Sequence, residues 1–353
     1  MRTSINIILV FLFAACTSVP DEKMTSYVDF PETRKLTART LSLDTALFRY
    51  PYRVRIQDDK AVVLDLHGTE YFFHAFHYPG FHYLSSFGKR GDAPEEMLSA
   101  ENLRWNGNFL WTLDSNKSEL TRLGFASSGD SLLRLEAVSL DEELLRALDF
   151  VQYDDSTFII PDYSGDSRFC LVSRQGKLLR KIGTIPTTNE DALKSARPAL
   201  AQAWRSFIDY NPHNGILVAA TQLGEVLEIY NLKDSTHLAC IGPNGEPEFQ
   251  ISQGYGIPTG IMGFSDIQVT DNAIYVVFQG HAFKDIMQKA QQGINLPNGG
   301  QNIYVFSLEG KPLRKYVLDH YIHGISVDEQ KGIIIATDVN KDEPIIEYRL
   351  NSI

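Results

Sequence analysis

Ile208-Asp209-Tyr210-Asn211-Pro212, then His213-Asn214-Gly215, then Ile216-Leu217-Val218-Ala219-Ala220-Thr221: these residues set the reading of the whole chain. A run entering an Asn-Pro turn is followed at once by a second run, apolar up to its last residue, Thr221. The turn residues between them favour a tight hairpin, because Asn and Gly accept the left-handed backbone angles that such turns need. A third run covers residues 226–232 and a fourth residues 237–241, so one stretch of chain offers four short consecutive strands.

The same unit recurs. First strands ending in acidic, Asn or Gly turns are expected at 53–58, 103–107, 151–155, 208–212, 267–271 and 325–329. Second strands follow at 61–66, 109–113, 157–160, 216–221, 273–278 and 332–337, and third strands at 71–76, 119–125, 169–173, 226–232, 302–308 and 344–350. Fourth strands close only five units, at 82–87, 132–140, 178–182, 237–241 and 312–318. Six repeats of four strands predict an all-β, six-bladed β-propeller. The sixth unit lacks its last strand. The reading therefore closes it with an N-terminal strand at 35–43, which pairs with 344–350 and removes two open sheet edges.

Phe87-Gly88-Lys89-Arg90-Gly91-Asp92-Ala93-Pro94-Glu95-Glu96 and Ile241-Gly242-Pro243-Asn244-Gly245-Glu246-Pro247-Glu248-Phe249 share a pattern, with Ile182-Gly183 as a reduced copy. It resembles the blade linkers of NHL-type and TolB-like six-bladed propellers. Together with the N-terminus described next, the chain is most similar to the TolB-like propeller lipoproteins of Bacteroides-type bacteria. That resemblance implies an architecture and no settled activity.

Arg2 is the only charge among the first fifteen residues and precedes an apolar run from Ile5 to Ala15. The run is too short for a membrane span, which takes about 20 residues, and has the length of a signal-peptide core. It ends in Leu12-Phe13-Ala14-Ala15-Cys16, which resembles a bacterial lipobox with Phe13 where Leu is commonest. The resemblance implies cleavage before Cys16 and acylation of that cysteine, with residues 1–16 as signal, 17–34 as tether and 35–353 as propeller. The expected address is the cell envelope, lipid-anchored, at the outer membrane. An ordinary secretory signal with an incidental cysteine is the alternative. Cys170 and Cys240 fall in different blades and are expected as buried free thiols, although an oxidising envelope would permit a disulfide. A net charge of −11 disfavours nucleic acid as a partner.

Three segments exceed a minimal connection. Residues 93–101 are expected to be helical, residues 189–205 to form a helix interrupted at Pro198, and residues 281–292 to form a helix followed by a Gly- and Pro-rich stretch to 300. All three fall on the face where innermost strands begin. That places the ligand site at that mouth of the channel, with Asp149, Asp266 and His323 as polar contacts and Trp204 with Arg205 as a wall. The opposite face, with minimal turns such as Asn106-Gly107, is expected to offer little grip. Six-bladed propellers of the gluconolactonase-like class hold a divalent metal at the channel mouth. By that resemblance Glu101, Asn102, Asp149 and Asp266 are candidate ligands for an ion such as calcium. His74 and His77 are three apart on a strand and so face opposite sides, which argues against joint chelation.

No nucleophile elbow, zinc-protease motif, P-loop or dinucleotide fingerprint is present in the sequence. The leading expectation is a tethered propeller that binds or scaffolds a glycan, peptide or protein. A metal-assisted hydrolase or lactonase at the channel mouth is the alternative, and a purely structural envelope subunit a third.

Overall fold

The computed structural model describes residues 22–44 and 48–350, so the signal segment and Cys16 lie outside the described residues. The N-terminal part supplies three short strands, β1 (Glu22–Ser26), β2 (Thr33–Leu36) and β3 (Arg39–Thr40). Blade 1 follows with β4 (Pro51–Gln57), β5 (Lys60–Asp65), β6 (Tyr71–His77) and β7 (His82–Lys89). Blade 2 holds β8 (Asn102–Asn106), β9 (Phe109–Asp114), β10 (Glu119–Phe125) and β11 (Leu132–Ser139). Blade 3 holds β12 (Val151–Asp154), β13 (Thr157–Pro161), β14 (Phe169–Ser173) and β15 (Leu178–Ile182). In blade 4, β16 (Ser206–Asn211), β17 (Ile216–Thr221), β18 (Val226–Asn231) and β19 (Thr236–Ile241) run outward from the axis. A hairpin of β20 (Phe249–Ser252) and β21 (Tyr255–Pro258) then precedes blade 5, which holds β22 (Phe264–Val269), β23 (Ala273–Phe278), β24 (Gly300–Ser307) and β25 (Pro312–Ile322). Blade 6 combines β26 (Ile325–Asp328), β27 (Ile333–Thr337) and β28 (Ile345–Arg349) with β3. The six-bladed propeller is thus the observed fold.

Each blade lies between two others, so a middle strand is covered on both faces. That is why β17 and β23 read as unbroken apolar runs rather than alternating ones, and all six residues of each are buried. The core accordingly divides into one hydrophobic cluster at each of the six blade interfaces. Trp111 and Phe158 meet between blades 2 and 3, and Val276 and Leu227 share the cluster between blades 4 and 5. A seventh cluster seats the helical insertion against blade 4. Cys170 and Cys240 are buried free thiols in separate blades, and burial pushes both up to about 12.

Closure occurs where the strand count places it, with a shorter strand. Thr40 pairs with Ile346, Arg39 pairs with Glu347, and Leu41 N donates to Ile345 O at 2.9 Å. The earlier part of the expected strand goes elsewhere, since β2 lies parallel to β25 on the outer edge of blade 5. Residues 22–34, expected as tether, are also docked: β1 lies parallel to β19 on the edge of blade 4. Tyr27 and Phe30 explain the docking. Both are buried among the aromatic residues of blades 4 and 5, with the Phe30 ring 4.7 Å from that of Tyr304 and the Tyr27 hydroxyl donating to Glu225 Oε1 at 2.8 Å. One strap therefore covers the outer edges of three successive blades, where backbone groups would otherwise be open to another chain.

The helical expectations need correction in two places. Residues 93–101 form turns, not a helix; Arg90 and Met97 are joined by a bridge, and Lys117 Nζ donates to the carbonyls of Ala93 and Glu96. In the next insertion α1 (Glu190–Ser195) and α2 (Arg197–Ala203) are separated at Ala196, not at Pro198. Pro198 sits in the first turn of α2, where its missing N–H costs nothing. The third insertion carries α3 (Phe283–Gln291) as expected. No helix among the described residues is long and apolar enough to cross a membrane.

Candidate functional site

Innermost strands all run the same way, and the face where they begin is here called the upper face. The sequence-predicted ring residues do gather there. Most of them are already engaged. Asp266 is 1% exposed and accepts from both terminal nitrogens of Arg55, at 2.9 and 2.8 Å, and from Ile325 N at 2.9 Å. Arg53 Nε lies 3.0 Å from the same carboxylate. Asp149, equally buried, accepts from Arg104, Asn102 Nδ2, Phe150 N and Ile208 N. Burial alone would raise the Asp266 carboxyl; Arg53, Arg55 and the Ile325 N–H overcome it and hold the group down at about 2.

These bonds run between blades. Asp149 of blade 3 receives the inner-strand N–H of blade 4, Asp209 of blade 4 receives Val269 N of blade 5 at 2.7 Å, and Asp266 of blade 5 receives that of blade 6. Arginines take the carbonyls. Arg104 donates to Phe150 O and Ile208 O, Arg55 to Ile325 O and Arg53 to Ser265 O. Arg104 also reaches Asp209 Oδ1 at 2.5 Å. The result is a polar plug across the channel.

The candidate metal set therefore does not fit a cation. Asp149 and Asp266 are spent on guanidinium groups, Asn102 turns its Nδ2 to Asp149, and Glu101 is drawn outward to Ser115 Oγ at 3.0 Å and Arg205 at 3.8 Å. Among the described residues no three His, Cys, Asp or Glu side chains converge to hold an ion. Trp204 is 0% exposed and packs among Ile185, Leu200 and Val226, so it is core rather than wall. Arg205 and His323 do border the upper mouth. His323 Nε2 is 3.1 Å from Tyr50 OH, and burial with the charge of Arg53 lowers its pKa to about 4, leaving it neutral near pH 7. Gly324 beside it has no room for a side chain, since an added Cβ would lie 2.7 Å from Arg53 Cα. His74 and His77 part as expected, one buried and bonded to Ser86 Oγ, the other exposed.

A large cavity opens on the other face. A funnel of about 870 Å³ lies where the innermost strands end, lined by the six hairpin turns that the sequence reading set aside. Trp105, Tyr153 and Tyr210 are in its walls, the last two with ring centroids 5.6 Å apart, and Gln57, Gln152 and Gln268 add amides. Its floor is the plug itself, through Arg55, Arg104 and Asp209. Rim carboxylates outnumber rim cations, but several serve the turns. Asp271 binds Asn211 and His213, and Asp328 binds Lys331. Short turns taken singly offer little to grip. Six of them around one axis nevertheless enclose a concave space, which no single turn reveals.

The plug generates a pH expectation. Because the folded pKa of Asp266 lies below the usual carboxylate value near 4, the stability it confers is complete above that value and lost as pH falls toward 2. Asp266→Asn should lose about 3–5 kcal/mol at pH 7 by leaving buried arginines uncompensated, and its stability should fall less than that of the wild type between pH 4 and 2. Parallel acid profiles for the two proteins would show the expectation wrong.

Comparison with known proteins supports the architecture. Residues 29–330 match the family model described as TolB-like 6-blade propeller-like. A Bacteroides fragilis protein described as exported superposes with a TM-score of 0.57 at 8% identity, covering 92% of this chain and 98% of its own. A protein described as an auxiliary nutrient binding protein from Bacteroides ovatus gives 0.52 at 10% identity, covering 86% of this chain and 69% of its own. No curated protein matches the sequence. With its six closed blades and a family match over most of its length, the chain belongs to the TolB-like six-bladed propeller family.

Proposed function

We propose that this chain is a binding propeller of the bacterial cell envelope, anchored through Cys16, that captures a glycan in the lower funnel. The observation that carries the reading is the funnel itself. It is concave and closed at its base by paired charges, and its aromatic walls can stack against the C–H faces of sugar rings. The amide of Gln57 in the same lining carries both a donor and an acceptor, which suits hydroxyl groups that both give and take hydrogen bonds. The resemblance in fold to a protein described as nutrient-binding agrees with uptake of a small soluble ligand. A hydrolase or lactonase is the weaker reading, because the carboxylates it would need are committed to Arg53, Arg55 and Arg104.

The strap adds an orientation to the anchor. Because β1 runs parallel to the outermost strand of blade 4, it starts on the lower face. Cys16 precedes Glu22 by six residues, a reach of about 20 Å at most. An acyl group at Cys16 thus holds the rim of blade 4 close to the membrane, on the funnel side.

Two experiments test the reading. A glycan array probed with the mature chain should yield a ligand whose affinity falls at least about tenfold in Trp105→Ala or Tyr153→Ala, as loss of an aromatic hot spot predicts, with melting measured alongside. No glycan retained, or unchanged affinity in both folded variants, contradicts it. Cys16→Ser should move the protein from the membrane to the soluble fraction; continued membrane retention, with no acyl group found on the wild type by mass spectrometry, contradicts the anchor.

A further inference from the structure

The funnel carries negative charge that the ring of turns does not neutralise. Seven carboxylates line it against three permanent cations, Arg55, Arg104 and Lys331. Each cation is already matched: Arg55 by Asp266, Arg104 by Asp149 and Asp209, and Lys331 by Asp328 at 2.8 Å. The carboxylates are not. Asp58 and Asp155, on the turns of blades 1 and 3, are exposed and pair with no cation among the described residues. Lys60, close to Asp58 in sequence, turns to Asp59 at 2.9 Å. Asp154 accepts only from Ser156 and Thr157, and Glu329 only from Asn272 Nδ2 at 2.8 Å and Tyr275 OH at 3.1 Å.

Like charges around a cleft with low-dielectric walls focus their field into it, so this space draws cations and repels anions. The aromatic wall acts in the same sense, because ring faces attract ammonium groups. Tyr153 precedes Asp154 and Asp155 on one turn, and its ring centroid stands 5.6 Å from that of Tyr210. The Tyr210 hydroxyl is pushed up first by burial and then by Tyr153 and Asp154, so the two rings and the carboxylate share one wall. The funnel already holds one arrangement of this kind. Lys331 Nζ lies 5.5 Å from the centroid of the Tyr78 ring and 2.8 Å from Asp328, where blades 6 and 1 meet. Across the axis, where blades 3 and 4 meet, Tyr153 and Tyr210 with Asp154 and Asp155 offer rings and carboxylates, and among the described residues no cation of the protein fills the place.

We propose that the glycan taken by the funnel carries a protonated amine, held against Tyr153 and Tyr210 by the negative charge on the turns of blades 1 and 3. This rests on the glycan reading and names the class of sugar. Three tetramers of one linkage that differ only in the substituent on the second carbon are the probes: tetraglucosamine with an amine, tetra-N-acetylglucosamine with an amide and cellotetraose with a hydroxyl. They are titrated calorimetrically into the full mature chain at about pH 6, where carboxylates are ionised and amines protonated. Tetraglucosamine should bind at least about tenfold more tightly than either neutral tetramer, as a charged contact predicts, and added salt should weaken it alone. Asp58→Asn combined with Asp155→Asn removes two charges at exposed turns and keeps their shape. The double variant should bind tetraglucosamine about tenfold more weakly and leave cellotetraose unchanged, with melting measured alongside. Equal or tighter binding of a neutral tetramer, no tetraglucosamine binding at millimolar concentration, or wild-type affinity in the folded double variant would overturn the proposal. Tyr153→Ala separates it from the reading beneath it. A neutral tetramer that binds best and is lost in Tyr153→Ala keeps the glycan reading and removes the amine, whereas tetraglucosamine binding lost in the double variant but untouched by Tyr153→Ala overturns both.

Discussion

The innermost strands of a propeller each turn one backbone edge toward the axis, where no further strand can pair with it. Buried N–H and C=O groups left without partners cost free energy comparable to a lost hydrogen bond, so the channel must supply side chains to meet them. In this protein Asp149, Asp209 and Asp266 accept the N–H groups of Ile208, Val269 and Ile325, and Arg53, Arg55 and Arg104 donate to the carbonyls of Ser265, Ile325, Phe150 and Ile208. Each acid and base then neutralises another across the axis. The plug that results ties the blades together across the axis and forms the floor of the lower funnel.

The outer rim poses the same problem in reverse, and the N-terminal segment answers it. Strands β1, β2 and β3 add to the edges of blades 4, 5 and 6, pinned where Tyr27 and Phe30 enter the interface of blades 4 and 5. Strand addition at the rim and side-chain pairing at the axis are two solutions to one constraint. The first also ties the position of the N-terminus to the face that carries the funnel.

Much of the architecture was legible in the sequence because a blade covered on both faces writes itself as apolar runs between Asn, Asp and Gly turns, as in residues 208–221. Closure was legible from the missing sixth outer strand. The strap was not, because residues 22–34 are mostly polar and exposed, and only Tyr27 and Phe30 betray docking. The hairpin of β20 and β21 has only Gln253-Gly254 as a local signal for its turn. The site was read less well. An Asp before an inner strand has the same signature whether it awaits a metal or caps a neighbouring backbone, and the arginines that decide between them, Arg55 and Arg104, come from blades 1 and 2. The funnel arises from six distant turns and has no local motif.

The central claim is that the Arg–Asp pairs at the axis act as one structural unit across blades. A double-mutant cycle joining Arg55→Met and Asp266→Asn, read by denaturant unfolding, measures this directly. Residues within one buried network couple by about 0.5–3 kcal/mol, and the upper part of that range is expected here, with the double variant much less damaged than the sum of the single variants. Strictly additive losses would contradict the account, because the two side chains would then stabilise the propeller independently.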